Sequence, residues 1–371
     1  MNIKNTSNKP YVAIIILNWN GWKDTIECLE SIFKNNYPNY QIIVIDNAST
    51  NNSMNKIKEW AEGKQEIISP VQENPLHYLS HPPHKKPIPY LYCNSKEIET
   101  DAFLLSAQNI KYPLVLVQSE ENLGFAKGNN IGLRYSLNKK IFDFAWLLNN
   151  DTVILKDTLE ALVNIMTDYP EFGVITPRIN HYYNINRIWN SGGMLTLTGN
   201  KYYFEHNQVI PNNKRKNTLI KTTFITGCAM FLRRSIIEKY GILTENFFMG
   251  EEDYEFSLRM KRKNIKMACD RSTTIYHKIG QSRDEKNHNT INSIFIHQLN
   301  RFINLKNNYN EIYWNLWRFM AVLRVFYILY FKHKYSITIC FKYCRKLIDY
   351  SNKYNTVTKE LYFKLKEECF N

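Results

Sequence analysis

A chain of 371 residues with 44% hydrophobic content can fill the core of one large domain with an appendage, and this excludes a disordered chain. Its 48 Lys and Arg against 34 Asp and Glu give a net charge of +14, which points to anionic partners (nucleotide phosphates, acidic lipid or nucleic acid) without choosing among them. Seven cysteines with no CxxC pair fit a reducing compartment better than a disulfide framework or a zinc site, and the polar stretch Met1 to Pro10 lacks the apolar centre of a signal peptide, so a cytoplasmic protein is expected.

Tyr11 to Leu17 is an apolar, β-branched run that reads as a buried strand ending in Asn18-Trp19-Asn20-Gly21. Asp24 is placed to cap a helix carrying Ile26, Leu29, Ile32 and Phe33 on one face. Gln41 to Ile45 repeats the strand and stops at Asp46-Asn47-Ala48-Ser49-Thr50, before a helix over Ser53 to Ala61. An acid at the end of a second strand either hydrogen-bonds a ribose or base edge or forms an Asx-turn. From about residue 67 to 113 the regularity fails, and this proline-rich insertion is expected to form a loop or lid. Its His77, His81 and His84 have no acids or cysteines beside them to favour a metal site.

Leu114 to Val117 restores a strand, followed by Glu121-Asn122-Leu123-Gly124-Phe125-Ala126-Lys127-Gly128 at the start of a helix through Leu133 and Leu137. The glycines allow close backbone approach, and Lys127 adds charge where a diphosphate can sit. Phe144 to Leu148 is a run suited to a strand buried on both faces, and it meets Asn149-Asn150-Asp151-Thr152 at its end. Asp151 stands either at the rim of a central cleft or in a turn before the helix from Asp157 to Tyr169. A strand over Gly173 to Thr176, a hairpin at Asn190 to Thr198 and a solvated loop at 212–217 follow. Thr226-Gly227-Cys228 turns into an apolar strand, and Phe247-Phe248-Met249 precede Glu251-Glu252-Asp253 at a helix start, where the macrodipole favours acids. Glu255 and Arg259 are spaced to pair on that helix's surface, and His277 ends a strand over Thr273 to Tyr276.

Six of these segments, in order between Tyr11 and His277, resemble the family 2 glycosyltransferases, inverting enzymes of GT-A fold, especially the rhamnosyltransferase-like branch. They are Asn18 to Gly21, Val44 to Ser49, Asn122 to Ala126, Leu147 to Asp151, Thr226 to Cys228 and Glu252-Asp253. The resemblance implies an α/β, Rossmann-like GT-A fold: a mixed, mostly parallel sheet flanked by helices over residues 1–295, followed by a basic helical extension over 296–371. It further implies a nucleotide-diphosphate sugar donor, dTDP- or UDP-linked with rhamnose favoured, and a glycan or lipid-linked acceptor in cell-surface polysaccharide synthesis. Asp46 then contacts base or ribose, with Asn18, Asn20, Asn122, Gly124, Lys127, Asn149 and Asn150 also at the donor. Asp151 is the metal-binding end of the family's D-x-D element, with His277 as second ligand for Mg²⁺ or Mn²⁺. Asp253 is the catalytic base, with Glu252 in reserve. The first D-x-D carboxylate is here the amide of Asn149. Phe247, Phe248 and Met249 form either an acceptor wall or core.

Residues 301–371 carry 13 Lys and Arg against 5 Asp and Glu, a net of +8. Ile312 to Phe331 is apolar and aromatic but broken by Asn315, Arg318 and Arg324, which suits a helix lying in an anionic membrane interface, or packed on the rest of the chain, better than one spanning a bilayer. Cys340 and Cys344, four apart, are expected to pack on one helix face. Nucleic-acid binding is disfavoured, because the charge concentrates in the tail and no nucleic-acid motif is present. A nucleotidyltransferase calls for a glycine-rich basic loop where Asn18 to Gly21 stands, and a catalytically inactive nucleotide-sugar binder is the remaining alternative.

Overall fold

The computed structural model describes residues 9–65, 74–106, 112–196, 198–210, 218–279, 291–368 and 370. The N-terminal residues 1–8, parts of the insertion at 66–73 and 107–111, Leu197 of the hairpin and the expected loop at 212–217 lie outside the described residues.

The first strand, β1 (Val12–Asn18), is almost wholly buried, as its β-branched run requires. Because successive strand side chains point to opposite faces, Val12, Ile14 and Ile16 join one core with Ile26, Leu29 and Ile32 of α1 (Trp22–Phe33), while Ala13 and Ile15 join a second. β2 (Tyr40–Asp46) runs parallel to β1 with Asn18 opposite Asp46, and α2 (Ser53–Ala61) follows. Gly21, not Asp24, is the N-cap of α1; Asp24 lies in the first turn, where the ammonium of Lys278 binds it at 2.5 Å.

The insertion is less irregular than its prolines suggest. It carries two short helices, α3 (His77–Ser80) and α4 (Asp101–Ser106), and a strand, β3 (Tyr90–Asn94), that pairs parallel with β4 (Leu114–Gln118). Proline confines a strand to the sheet margin, and β3 is the terminal strand there. The imidazoles of His77 and His81 stack at 4.2 Å, and His84 stacks on Phe33.

Next come α5 (Gly124–Asn138), β5 (Phe144–Leu148), the three-residue β6 (Thr152–Ile154) and α6 (Thr158–Asp168). β7 (Phe172–His181) is longer than the Gly173 to Thr176 expected, because Pro177 to Asn180 continue its pairing. β8 (Ile188–Asn190), a hairpin of β9 (Gly193–Leu195) and β10 (Lys201–Tyr203), β11 (Leu219–Thr222), β12 (Ala229–Arg233), α7 (Arg234–Tyr240), α8 (Glu252–Arg262) and β13 (Lys266–His277) complete this part. The eleven-stranded sheet has the order β11-β13-β7-β12-β5-β1-β2-β4-β3, with β6 on β13 and β8 on β7. β5, β1, β2, β4 and β3 are parallel, and β12 runs against both its neighbours, so the sheet is mixed and mostly parallel.

Among the described residues there follow α9 (Ile291–Asn308), α10 (Glu311–Tyr327) with a π-helical turn at Ile328–Lys332, α11 (Ile337–Lys353) and α12 (Lys359–Glu368). Phe295, Leu299 and Phe302 of α9 form a third core with Phe247, Tyr254 and Leu258 on one side and Cys340, Cys344 and Leu347 on the other. The two cysteines four apart therefore pack, as their spacing predicts. Phe247 and Phe248 are core residues, 2% and 7% exposed, and Phe248 meets Tyr362 and Phe363 of α12; of the expected acceptor wall only Met249, 40% exposed, faces solvent.

Candidate active site

The polar residues that end β1, β2, β4 and β5 gather at one edge of the sheet, where open α/β sheets bind ligands. Asp46, 1% exposed, accepts from Asn18 Nδ2 at 2.6 Å, Ser49 Oγ at 2.6 Å and Gln118 Nε2 at 3.0 Å, so its carboxylate ties three strand ends together. Asn20, in the left-handed region at φ 57°, accepts from Thr50 N at 2.8 Å and joins the first two loops. Asn47 donates to Asn122 Oδ1 at 2.9 Å and to the Gly124 carbonyl. At Gly124, φ is +79° and any Cβ would collide with the Phe248 carbonyl, so only glycine lets α5 start against the Phe247 loop. Lys127 projects to solvent from the first turn of α5. Asn150 turns back into the scaffold, donating to Thr25 Oγ1 at 3.0 Å, while the backbone N–H of Asn149 donates to the Cys228 carbonyl at 2.9 Å.

Asp151 comes next, and long-range pairing sets its surroundings. β6 lies antiparallel on the end of β13 with Thr152 opposite His277, and the Lys278 amide donates to the Asp151 carbonyl at 2.9 Å. Asp151 Oδ1 and His277 Nε2 thus stand 3.1 Å apart, both side chains less than a tenth exposed. Burial works to raise the Asp151 carboxyl, but His277 and Lys278 hold it below its usual range. Burial opposes a charge on His277, yet Asp151 and the Cys228 thiol lift it well above an ordinary histidine. Trp189 covers the imidazole at 4.9 Å between ring centres, and the Lys278 ammonium is neutralised by Asp24 and Glu27, each at 2.5 Å.

These two side chains fit one side of a divalent-cation site. Asp151 Oδ1 is buried with His277 Nε2 as its partner, so a cation held by both would displace the imidazole proton, and a carboxylate with an imidazole suits Mn²⁺. Among the described residues no group of three or more His, Cys, Asp or Glu could hold an ion, so these two side chains alone do not complete a shell.

The other wall is the start of α8, where the structure separates the three consecutive acids. Glu251 is locked away: Arg301 of α9 reaches both its carboxylate oxygens at 2.7 and 2.8 Å, and Asn304 donates to it at 3.1 Å. Glu252 is 8% exposed, and burial and the neighbouring Asp253 raise its carboxyl to about 8. Asp253 keeps a partly open carboxylate, 13% exposed, 3.8 Å from Lys201 Nζ on the β9–β10 hairpin. One loop joins the two walls. A Cβ at Gly227 would lie 3.8 Å from that of Asp253, and the next residue, Cys228, is the one that acts on His277.

The Glycosyl transferase family 2 profile matches residues 13–82 and 94–241, more than half of the chain. This chain belongs to glycosyl transferase family 2. Over 198 residues this family 2 protein is 28% identical to the low-salt glycan biosynthesis hexosyltransferase Agl10 of Haloferax volcanii, a match covering 50% of this chain and 58% of that relative. Similar solved structures are the mannosyltransferase PcManGT of Pyrobaculum calidifontis in complex with GDP-Man and Mn²⁺ (TM-score 0.51, 14% identity, 94% of this chain and 76% of that one). GalNAc-T7 with UDP, GalNAc and Mn²⁺ is another (TM-score 0.52, 12% identity, 98% of this chain and 57% of that one). At those identities the likeness is one of fold, the GT-A arrangement of a mostly parallel sheet between helices.

Sequence reasoning about this family 2 chain missed Lys201, Arg301, Trp189 and Lys278, whose partners are distant in sequence. Glu255 and Arg259 do pair, at 2.9 Å, but not on an open surface: Arg259 also caps the carbonyls of Tyr240, Gly241 and Ile242. The raised Glu252 carboxyl predicts a pH effect. Unfolded, it ionises near 4.5; folded, near 8. Between those values the folded state holds the extra proton, so this group makes stability fall as pH rises through the window. In Glu252→Gln the decline is expected to flatten, as read from urea midpoints at both ends of the window; an unchanged slope would mean Glu252 is charged in the fold.

Proposed function

We propose that this family 2 protein is an inverting glycosyltransferase moving a sugar, rhamnose in the favoured case, from a dTDP- or UDP-linked donor to a hydroxyl of a glycan or lipid-linked acceptor in cell-surface polysaccharide synthesis. The supporting observation is the Gly227-Cys228 step, which sets a partly open carboxylate, Asp253, one residue from the buried Asp151 and His277 pair. A displacement needs these two elements on opposite sides of the anomeric carbon.

Asn18, Asn20 and Asp46 form the nucleoside end of the donor site, with Asn122, Gly124 and Asn149 along the cleft, Asn150 bracing it from behind through Thr25, and Lys127 at its rim. Asp253 takes the proton of the acceptor hydroxyl as the acceptor oxygen bonds to the anomeric carbon; the bond to the diphosphate breaks in the same step, and the configuration inverts. Asp253 is the more open of the two acids, Glu252 being 8% exposed with its carboxyl raised to about 8. Asp151 and His277 would hold Mn²⁺ or Mg²⁺, which would supply Lewis-acid stabilisation to the departing diphosphate.

Thermal shift over dTDP- and UDP-sugars, with Mn²⁺ and with chelator, tests both parts. The expected result is donor stabilisation that requires the metal and is lost in Asp151→Ala. Stabilisation by none of the donors counts against the transferase reading, and an equal shift in chelator against the metal.

A further inference from the structure

We propose that the solvent-facing side of α10, with the groove it forms against α11, docks on an anionic lipid bilayer. A soluble helix ordinarily turns its apolar stripe inward. α10 does this with Trp314 and Val325, each 6% exposed, and carries a second apolar stripe outward. Ile312, Leu316, Phe319, Met320, Leu323 and Tyr327 are 84, 65, 61, 58, 52 and 54% exposed. Their spacing of four, three, one, three and four residues keeps them on one face. The stripe runs into a groove of about 490 Å³ between α10 and α11, lined by Val322, Leu323, Phe326, Phe341 and Ile348, where an acyl chain has room.

Charge selects the occupant. Residues 311–353 hold eight Lys and Arg and two Asp and Glu, and Lys332, Lys334, Lys342 and Arg345 are exposed at the end of α10 and along α11. A second copy docking on this face would oppose cations to cations, whereas anionic headgroups complement them. No helix among the described residues is long and apolar enough to cross a membrane, so α10 lies along the surface with its aromatics at headgroup level.

This inference deepens the lipid-linked acceptor of the proposed function and rests on that reading for its purpose. α10 is tied to the β9–β10 hairpin, Trp317 Nε1 donating to the Thr198 carbonyl at 2.8 Å and Arg324 to Asn200 Oδ1 at 2.8 Å. The same hairpin carries Lys201 to Asp253, so docking through α10 holds the base side of the cleft near the lipid surface.

The test is sedimentation of the full chain with phosphatidylcholine vesicles and with vesicles containing phosphatidylglycerol, at low and high salt. Circular dichroism and donor-induced thermal shift check each variant's fold. Wild type is expected to partition onto the anionic vesicles and to leave them in salt. Phe319→Glu/Leu323→Glu and, separately, Lys332→Glu/Lys334→Glu should each lose roughly tenfold or more while still responding to donor. Failure of wild type to bind anionic vesicles, or equal binding by the variants, overturns the proposal. So does a wild-type dimer in sedimentation velocity that Phe319→Glu/Leu323→Glu converts to monomer. Because the donor shift is read separately, loss of lipid binding leaves the transferase reading standing, and loss of the donor response strikes that reading alone.

Discussion

Asp253→Asn is expected to lower transfer by about 10²–10⁴-fold while donor binding stays within about twofold, because the amide keeps the shape of the carboxylate and cannot take a proton. The size follows from the other candidates nearby. Glu251 has both oxygens held by Arg301 and cannot turn to an acceptor without breaking a buried pair. Burial and the neighbouring Asp253 raise the Glu252 carboxyl to about 8, so most of it is protonated near neutrality. Initial rates with a soluble acceptor, alongside titration of donor by calorimetry, separate the two effects. If Asp253→Asn turns over normally and Glu252→Gln is silent, the base is the wrong residue.

The rim of this site was legible because Asn18, Asp46 and Asn149 to Asp151 each interrupt an apolar run, and such runs are strands buried on both faces whose ends meet at one edge of a parallel sheet. Local pattern carried that much. The meeting of Asp151 with His277 was not legible from pattern, since it depends on β6, three residues long, finding the end of β13. Lys201 sits in another three-residue strand, too short for any periodicity to announce. At the insertion, the prolines that suggested a loop flank an edge strand, where a missing amide costs no ladder bond. Asp24 failed as a predicted cap because Gly21 starts the helix one turn earlier, leaving the carboxylate free to bind Lys278. For Phe247 and Phe248, sequence left acceptor wall and core equally open, and the packing of the C-terminal helices decides for core, Phe247 in the cluster with α9 and Phe248 against α12.

Arg301→Met is expected to lower the unfolding free energy by about 3–5 kcal/mol, the usual cost of leaving one charge of a buried pair without its partner. Arg301 holds Glu251 through two hydrogen bonds, donates to the Gly199 carbonyl, and lies 3.6 Å above the centre of the Tyr254 ring. Glu251 sits at φ 74°, a left-handed conformation that costs a non-glycine residue about 1–3 kcal/mol and persists only where its surroundings enforce it. It is also the N-cap of α8, directly before Glu252 and Asp253, so the brace from α9 crosses the boundary drawn at residue 295 and fixes the helix that carries Asp253. Urea unfolding of Arg301→Met, Glu251→Gln and the double variant closes a cycle. The double variant should recover part of the loss, because no buried charge is then stranded, and its rate should stay low because the αL cap is no longer held. Strictly additive losses would mean that the two groups do not act as a pair, and a double variant with full rate would show that α8 keeps Asp253 in place without Arg301.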